Sequence, residues 1–446
     1  MANMNRRQFV KLGTAADMGA LAAGAAEHGP GQLPAPPPHP FRAAPMDIVR
    51  IGFVGVGRQG SSHVRNLLKI KGARITAVCD IAGDKVRAMQ DLVEAAGQPR
   101  PTGYARGERD FVRLCETEDL DLVYTATPWR WHVPVCLAAM KNGKHAATEV
   151  PAALTLEDCW ALVETAERLE KHCVMMENCC YGRNELMTLN MVRQGVLGEP
   201  VHAECGYLHD LRALHFLQDR GDWWRPNLMH MNGSLYTTHG LGPVAQYLDI
   251  NRGNRFTHLV SMSSASMGLQ QWRDENLPPD DPRRKEEYVL GDVNTCLIKT
   301  ARGQTVRVVY NVTLPRPYSR INLLQGTRGL VRGWPDGVYI EGRTEGHAFE
   351  PLDAYYEEFD HPLWKGMQER AQGAGHGGMD FIEDYRLIAC LRAGQPTDMD
   401  VYDAAAWSAP IALSQRSVAQ RGAPVEFPDF TRGQWKTNKP IGIIEA

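Results

Sequence analysis

The sequence predicts two halves of different build: an α/β half with a doubly wound parallel sheet, then an α+β half with a large open, mostly antiparallel sheet. Three observations carry this. Between residues 48 and 176 short apolar strands alternate with helical stripes, and a Gly-x-Gly-x-x-Gly turn joins the first strand to the first helix. Beyond Tyr181 the alternation stops and strands follow one another. At 446 residues the chain exceeds one ordinary core, for which roughly 150 residues is typical. Hydrophobic residues make up 43% and charged residues 23%, which is globular rather than disordered or fibrous composition. A net charge of −3 without any Lys/Arg block argues against nucleic acid as the main partner, so a small ligand is expected.

The chain opens on Asn5-Arg6-Arg7-Gln8-Phe9-Val10-Lys11, a twin-arginine pattern, followed by a weakly apolar Ala/Gly-rich run to Ala26. Asp17 interrupts that run, and a membrane span needs about 20 apolar residues, so residues 1–29 read as an export signal for a periplasmic or secreted protein. Prolines 30, 34, 36, 37, 38, 40 and 45 make residues 30–46 a stiff linker. The expected domains are then 47–178 and 179–446.

Ile48 to Val54 forms a short apolar strand, Gly55-Val56-Gly57-Arg58-Gln59-Gly60 follows, and Val64, Leu67 and Leu68 stripe the next helix. Such glycines let backbone approach a pyrophosphate while the helix N-terminus offers free N–H groups and about +0.5 of charge. This is the Rossmann arrangement. A second strand, Arg74 to Cys79, ends in Asp80, placed to accept ribose hydroxyls and to disfavour a 2′-phosphate, so NAD is expected over NADP. Asp121 to Thr127 reads as a third strand, with Trp129-Arg130-Trp131-His132 on a loop expected to face the cofactor and a helix from about Pro134 to Asn142. His145 to Glu149 and Cys173 to Met176 complete the sheet, separated by a helix that Thr155 caps.

In the second half a helix is expected near Glu185–Gln194. Strands are expected at Val201–Tyr207, Phe256–Ser263, Asn294–Thr300, Thr305–Thr313, Ile321–Gln325 and Val338–Glu341. Residues 270–290, rich in Pro, Asp, Glu and Arg, read as a surface loop; helices near Gly378–Arg392 and Asp403–Gln420 close the domain. Tyr207, His209, Asp210, Arg212, Trp223, Trp224, Arg225, Tyr236 and His239 concentrate the groups that hold sugars, aromatic faces for stacking and polar ends for hydroxyls. The ten cysteines show no C-x-x-C and no zinc spacing; buried free thiols are the expectation, and no metal is assigned.

The order of the halves resembles the Gfo/Idh/MocA oxidoreductase-like superfamily, with Glu149-Val150-Pro151 where that group usually shows Glu-Lys-Pro. Met176-Glu177-Asn178-Cys179-Cys180-Tyr181, Gly206 to Arg212, Thr238-His239-Gly240-Leu241-Gly242-Pro243, Asp249 to Arg255 and His376-Gly377-Gly378-Met379-Asp380 look like one branch, glycoside hydrolase family 109, the NAD-dependent α-N-acetylgalactosaminidases. The resemblance runs from about residue 47 to the end, and that branch also carries a twin-arginine leader.

It implies removal of terminal α-linked GalNAc with retention and no net redox change. C3 is oxidised to a ketone, the group on C1 is eliminated after loss of the C2 proton, water adds, and C3 is reduced again, a route outside the two-carboxylate rule. It further implies cofactor positions at Gly55, Gly57, Arg58, Gln59, Gly60, Asp80, Trp129, Arg130, Trp131, His132, Glu149, Val150 and Asn178. Sugar positions are Tyr207, Arg225, Tyr236, His239 and Tyr318, with His239 handling the C3 hydroxyl proton and Tyr181 as the C2 base. The partner is a glycan carrying terminal GalNAc, with neither nucleic acid nor a membrane span involved; a homo-oligomer is expected only because open sheets often pair. Two other readings stand beside this one: a sugar or inositol dehydrogenase that releases NADH, and a non-catalytic NAD-binding regulator.

Overall fold

The computed structural model describes residues 41, 43–218, 221–442 and 444. The twin-arginine segment and most of the Pro-rich linker lie outside these. The end of the linker is described: Phe41 is buried, with its ring 5.9 Å from that of Tyr402.

The first half runs β1 (Val49–Val54), α1 (Arg58–Leu67), β2 (Ala73–Cys79), α2 (Gly83–Ala95), β3 (Thr102–Tyr104), α3 (Asp110–Thr117), β4 (Leu122–Thr125), α4 (His132–Lys141), β5 (His145–Thr148), α5 (Leu156–Leu169) and β6 (Cys173–Met175). Its six strands lie in the order β3-β2-β1-β4-β5-β6, and every pairing is parallel. This is the doubly wound order whose crevice opens beyond the strands' carboxyl ends. Helices cover both faces, so β4, β5 and β6 are buried at every residue. That two-sided burial is why they read as apolar runs rather than as alternation. Thr155 caps α5 as expected, its hydroxyl accepting from the Asp158 N–H at 3.1 Å.

The second half contains α6 (Arg183–Arg193), β7 (Pro200–Leu208), α7 (Gly221–His230), α8 (Thr238–Tyr247), β8 (Phe256–Ser263), α9 (Gly268–Asn276), β9 (Asn294–Thr300), β10 (Thr305–Asn311), β11 (Leu323–Gly326), β12 (Gly329–Arg332) and β13 (Gly337–Ile340). It ends with α10 (Tyr356–Phe359), α11 (Pro362–Met367), α12 (Met379–Ala393), α13 (Val401–Ser408), α14 (Pro410–Ala419) and β14 (Val425–Glu426). The sheet order is β13-β12-β11-β7-β10-β9-β8-β14, antiparallel except for β7 against β10. In β9 the residues alternate, Asn294, Cys296 and Ile298 inward with Thr295 and Leu297 outward. One face is therefore packed and the other open. Val201, Met262 and Leu297 are exposed apolar residues of these strands.

Several expectations are corrected. Residues 270–290 are not a loop throughout, because α9 begins at Gly268, where the Asp292 carboxylate accepts from the N–H groups of Met267 and Gly268. The strand expected from Ile321 starts later, since Ile321 and Asn322 take left-handed φ of 66° and 47°. The single helix expected over 403–420 is two, divided at Pro410. His132 opens α4 instead of lying on a loop, and Trp129–Trp131 form a single 3-10 turn. All ten cysteines are free and buried, as expected.

Candidate active site

The Gly55–Gly60 turn divides its labour among three glycines. Gly55 adopts φ of +84°, and a Cβ there would meet the Ala126 carbonyl oxygen at 2.8 Å, beyond the end of β4. At Gly60 a Cβ would lie 1.9 Å from the Gly55 carbonyl oxygen, so only glycine lets α1 pack this close to the turn. Gly57 is the opposite case: nothing lies within 4 Å of its would-be Cβ, and the N-terminus of α1 stays approachable on that side. These are the separate demands of a turn that receives a pyrophosphate. At the end of β2, Asp80 accepts from the N–H of Val56 and of Ala82, both at 2.9 Å, leaving a second lone pair on each oxygen for a ribose hydroxyl. The residues present therefore fit a dinucleotide.

Beyond β5 and β6 the crevice is lined by a buried polar network. His63 on α1 is enclosed between Glu149 (2.7 Å) and Asp384 of α12 (2.9 Å). Burial works against its charge, but the two carboxylates outweigh it and hold the imidazole well above its usual range. Asp380, also on α12, accepts from Gln59 (3.3 Å), Asn178 (2.7 Å) and His376 (2.8 Å). Burial raises its carboxyl, yet the His376 hydrogen bond, the His63 charge and the Asn178 amide win and bring it down to about 2. Gln59, Glu149 and Asn178, three expected cofactor positions, are thus joined through His63 and Asp380.

The sugar-side residues assemble around α8. Gly240 packs on β7, where a Cβ would meet the Gly206 nitrogen at 2.4 Å; Gly242 packs on the segment after β6, where a Cβ would meet Glu177 Cγ at 2.8 Å. These two glycines let the first turn of α8 pack against both β7 and the segment after β6, and His239 immediately precedes the first of them. Its Nδ1 is 2.7 Å from Glu177 Oε1, so His239 stands at the carboxyl end of β6. Tyr207 and Tyr236 flank the imidazole at 5.5 and 4.9 Å between ring centres. Trp129, from the first half, stacks on Tyr236 at 5.5 Å and 19°, and Tyr318 meets Tyr207 edge-on at 6.1 Å. An aromatic wall shared by both halves surrounds one imidazole.

Glu177, Cys179 and His239 also bring three metal-type donor atoms within 4.8 Å of one another. The Cys179 sulfur, however, lies 3.3 Å from Asn178 Oδ1 as a donor, and burial pushes its thiol well up, while the carboxyl and imidazole bind each other. In this structure the three side chains take part in hydrogen bonds.

Other expected residues are not brought to this place. The Tyr181 hydroxyl donates to Asp398 (3.0 Å), which Arg386 also holds, and burial with the Asp398 charge drives the phenol well above its usual range. These surroundings oppose ionisation of the phenol, the reverse of what a C2 base needs. Arg225 is buried and donates to Glu286 (2.7 Å) and the His215 carbonyl (2.7 Å). His132 is buried with its ring nitrogens against the Pro151 and Thr127 carbonyls, both at 2.8 Å. Arg130 pairs with Glu108 at the surface, Trp131 packs on Phe111, and Val150 is buried. The sequence points to Glu177 and Asp380 only inside the Met176–Tyr181 and His376–Asp380 motifs, and to His63 and Asp384 not at all.

Comparison with known proteins agrees with both halves. The family model for the glycosyl hydrolase 109 C-terminal domain matches residues 181–437, and that of the oxidoreductase family, NAD-binding Rossmann fold, matches residues 49–177. A glycosyl hydrolase family 109 protein of Solibacter usitatus (strain Ellin6076) is 50% identical over 401 residues, covering 89% of this chain and 91% of the relative. Among solved structures, an NAD-binding oxidoreductase from Klebsiella pneumoniae superposes with a TM-score of 0.68 at 18% identity, over 86% of this chain and 100% of that one. A levoglucosan dehydrogenase in complex with NADH gives a TM-score of 0.62 at 16% identity, over 85% and 99%.

Proposed function

Since the chain belongs to glycoside hydrolase family 109 and is a glycosidase built on an NAD-binding fold, we propose that it removes terminal α-linked N-acetylgalactosamine with retention and no net redox change. The observation that carries this reading is the position of His239: at the carboxyl end of β6, beside the expected cofactor position Asn178, inside an aromatic wall suited to a pyranose. NAD, when bound along Gly55–Gly60 and Asp80, supplies the hydride acceptor for C3 and returns the hydride at the end.

The chain's own residues handle protons and placement. His239 takes the C3 hydroxyl proton, a task for an imidazole near neutral pH. The ketone acidifies the C2 hydrogen, and His209 replaces Tyr181 as the group that removes it. His209 lies 3.3 Å from the Tyr207 hydroxyl and edge-on to Tyr318 at 5.1 Å, so it adjoins two expected sugar positions, whereas the Tyr181 hydroxyl is bound to Asp398. Loss of the C1 substituent and addition of water follow. Val150, apolar and buried, stands where the related dehydrogenases usually carry lysine, which favours hydrolysis over a released-NADH reading. Export through the twin-arginine route fits a chain that folds around its cofactor before crossing.

Cleavage of a nitrophenyl α-GalNAc by purified protein without added NAD tests the proposal. His239→Ala should lower the rate by about 10²- to 10⁴-fold. Stoichiometric growth of absorbance at 340 nm on added NAD⁺ and sugar, with no nitrophenol released, would replace it with the dehydrogenase reading.

A further inference from the structure

Glu177 is completely buried: its Oε1 lies 2.7 Å from His239 Nδ1 and accepts from the Cys179 N–H at 3.1 Å. Oε2 has no hydrogen-bond partner among the described residues. With Nδ1 committed to Oε1, Nε2 is the nitrogen left for proton exchange. The titratable groups around the ring are Glu177 and Cys179 on the segment after β6, Tyr207 on β7 and Tyr236 ahead of α8.

We infer that Glu177 is the positioning residue of the reaction, fixing the orientation of His239 and its Nδ1–H tautomer, so that Nε2 is the nitrogen that serves as base for the sugar hydroxyl. This rests on the role proposed for His239. The backbone bond from Cys179 holds the carboxyl against rotation, and Gly242 leaves room for its Cγ beneath α8. Glu177 touches neither sugar nor cofactor in this account and acts only through the imidazole. The pattern of a carboxyl setting the tautomer of a catalytic imidazole has precedent in hydrolase triads, where its loss costs about 10⁴-fold in kcat.

Two measurements test it. In ¹⁵N-histidine-labelled, NAD-loaded wild-type protein, the His239 signal, assigned by its loss in His239→Asn, should report Nδ1 protonated and Nε2 unprotonated at neutral pH. The opposite tautomer overturns the inference, whatever the enzyme's substrate and without any variant at Glu177 having to fold. Glu177→Gln should lower kcat by about 10²-fold or more, with KM changed only a few-fold. Glu177→Asp should restore part of the rate. A Gln variant with the wild-type kcat overturns the inference, as does one whose rate falls through KM alone. Failure of the glycosidase reading would show separately, as absent nitrophenol release by wild-type protein with the expected tautomer.

Discussion

Asn178 donates a 2.7 Å hydrogen bond to Asp380, so the segment leaving β6 and the first turn of α12 meet on one buried carboxylate. Gln59, from the first turn of α1, reaches the same group, and His376 closes it from outside with half its side chain exposed. Gln59 and Asn178 are both expected cofactor positions, and Asp380 orients both amides. Asp380→Asn keeps the shape but removes the charge. It should release NAD at least about ten-fold more readily, the equivalent of about 1.4 kcal/mol, seen as substoichiometric NAD in denatured protein after gel filtration. Full retention would mean that these amides do not hold the cofactor.

Tyr181→Phe separates a structural phenol from a catalytic one. The hydroxyl donates to Asp398 and lies in a setting that opposes ionisation. Its removal should cost about 1 kcal/mol of stability, the net worth of one hydrogen bond, while kcat stays within a few-fold of wild type. A drop of more than about 10²-fold, the least expected on losing a proton-transfer group, would return Tyr181 to the chemistry.

The parallel sheet was legible because two-sided burial leaves apolar runs with a period that local sequence displays, and β8 and β9 appear with the expected ends. The missed helices have non-local causes. The first N–H groups of α9 are met by Asp292, 24 residues away from Gly268, so no capping signal precedes the helix. The α8 stretch reads as breakers, His-Gly-Leu-Gly-Pro, yet forms a helix because its glycines permit contacts with β7 and Glu177 that exist only in the fold. For the site, residue types and order located Tyr207, Tyr236 and His239, but which way Tyr181, Arg225 and His132 turn is decided by buried partners far along the chain.

His63 joins α1 to α12 as a charged group, and this gives stability a pH dependence of known sign. Around it stand Asp384, Glu383 and Asp380 on α12, Glu149 after β5 and Tyr124 on β4. The folded-state value is raised above the unfolded one, so its contribution is complete below pH about 6.5 and is lost as pH climbs through the raised value. His63→Asn leaves two buried carboxylates facing each other and should destabilise by roughly 3–5 kcal/mol at neutral pH. The variant should recover stability toward pH 5, as a carboxylate takes up a proton, while the wild type shows its loss on the alkaline side. Thermal unfolding from pH 5 to 9 would expose parallel curves if His63 were uncharged in the fold.

Hydrolysis in D₂O reads the C2 step directly. Elimination removes the C2 hydrogen and water returns one from solvent, so the released sugar should carry deuterium at C2 and protium at C3, where the hydride is held and handed back. If His209 is the C2 base, His209→Ala should slow both nitrophenol release and C2 exchange by about 10²-fold or more, while oxidation at C3, handled by His239, still yields bound 340 nm absorbance. Loss of that absorbance together with C2 exchange would place His209 in binding instead. Complete retention of protium at C2 by the wild type, with nitrophenol still released, would exclude elimination and require a direct displacement instead.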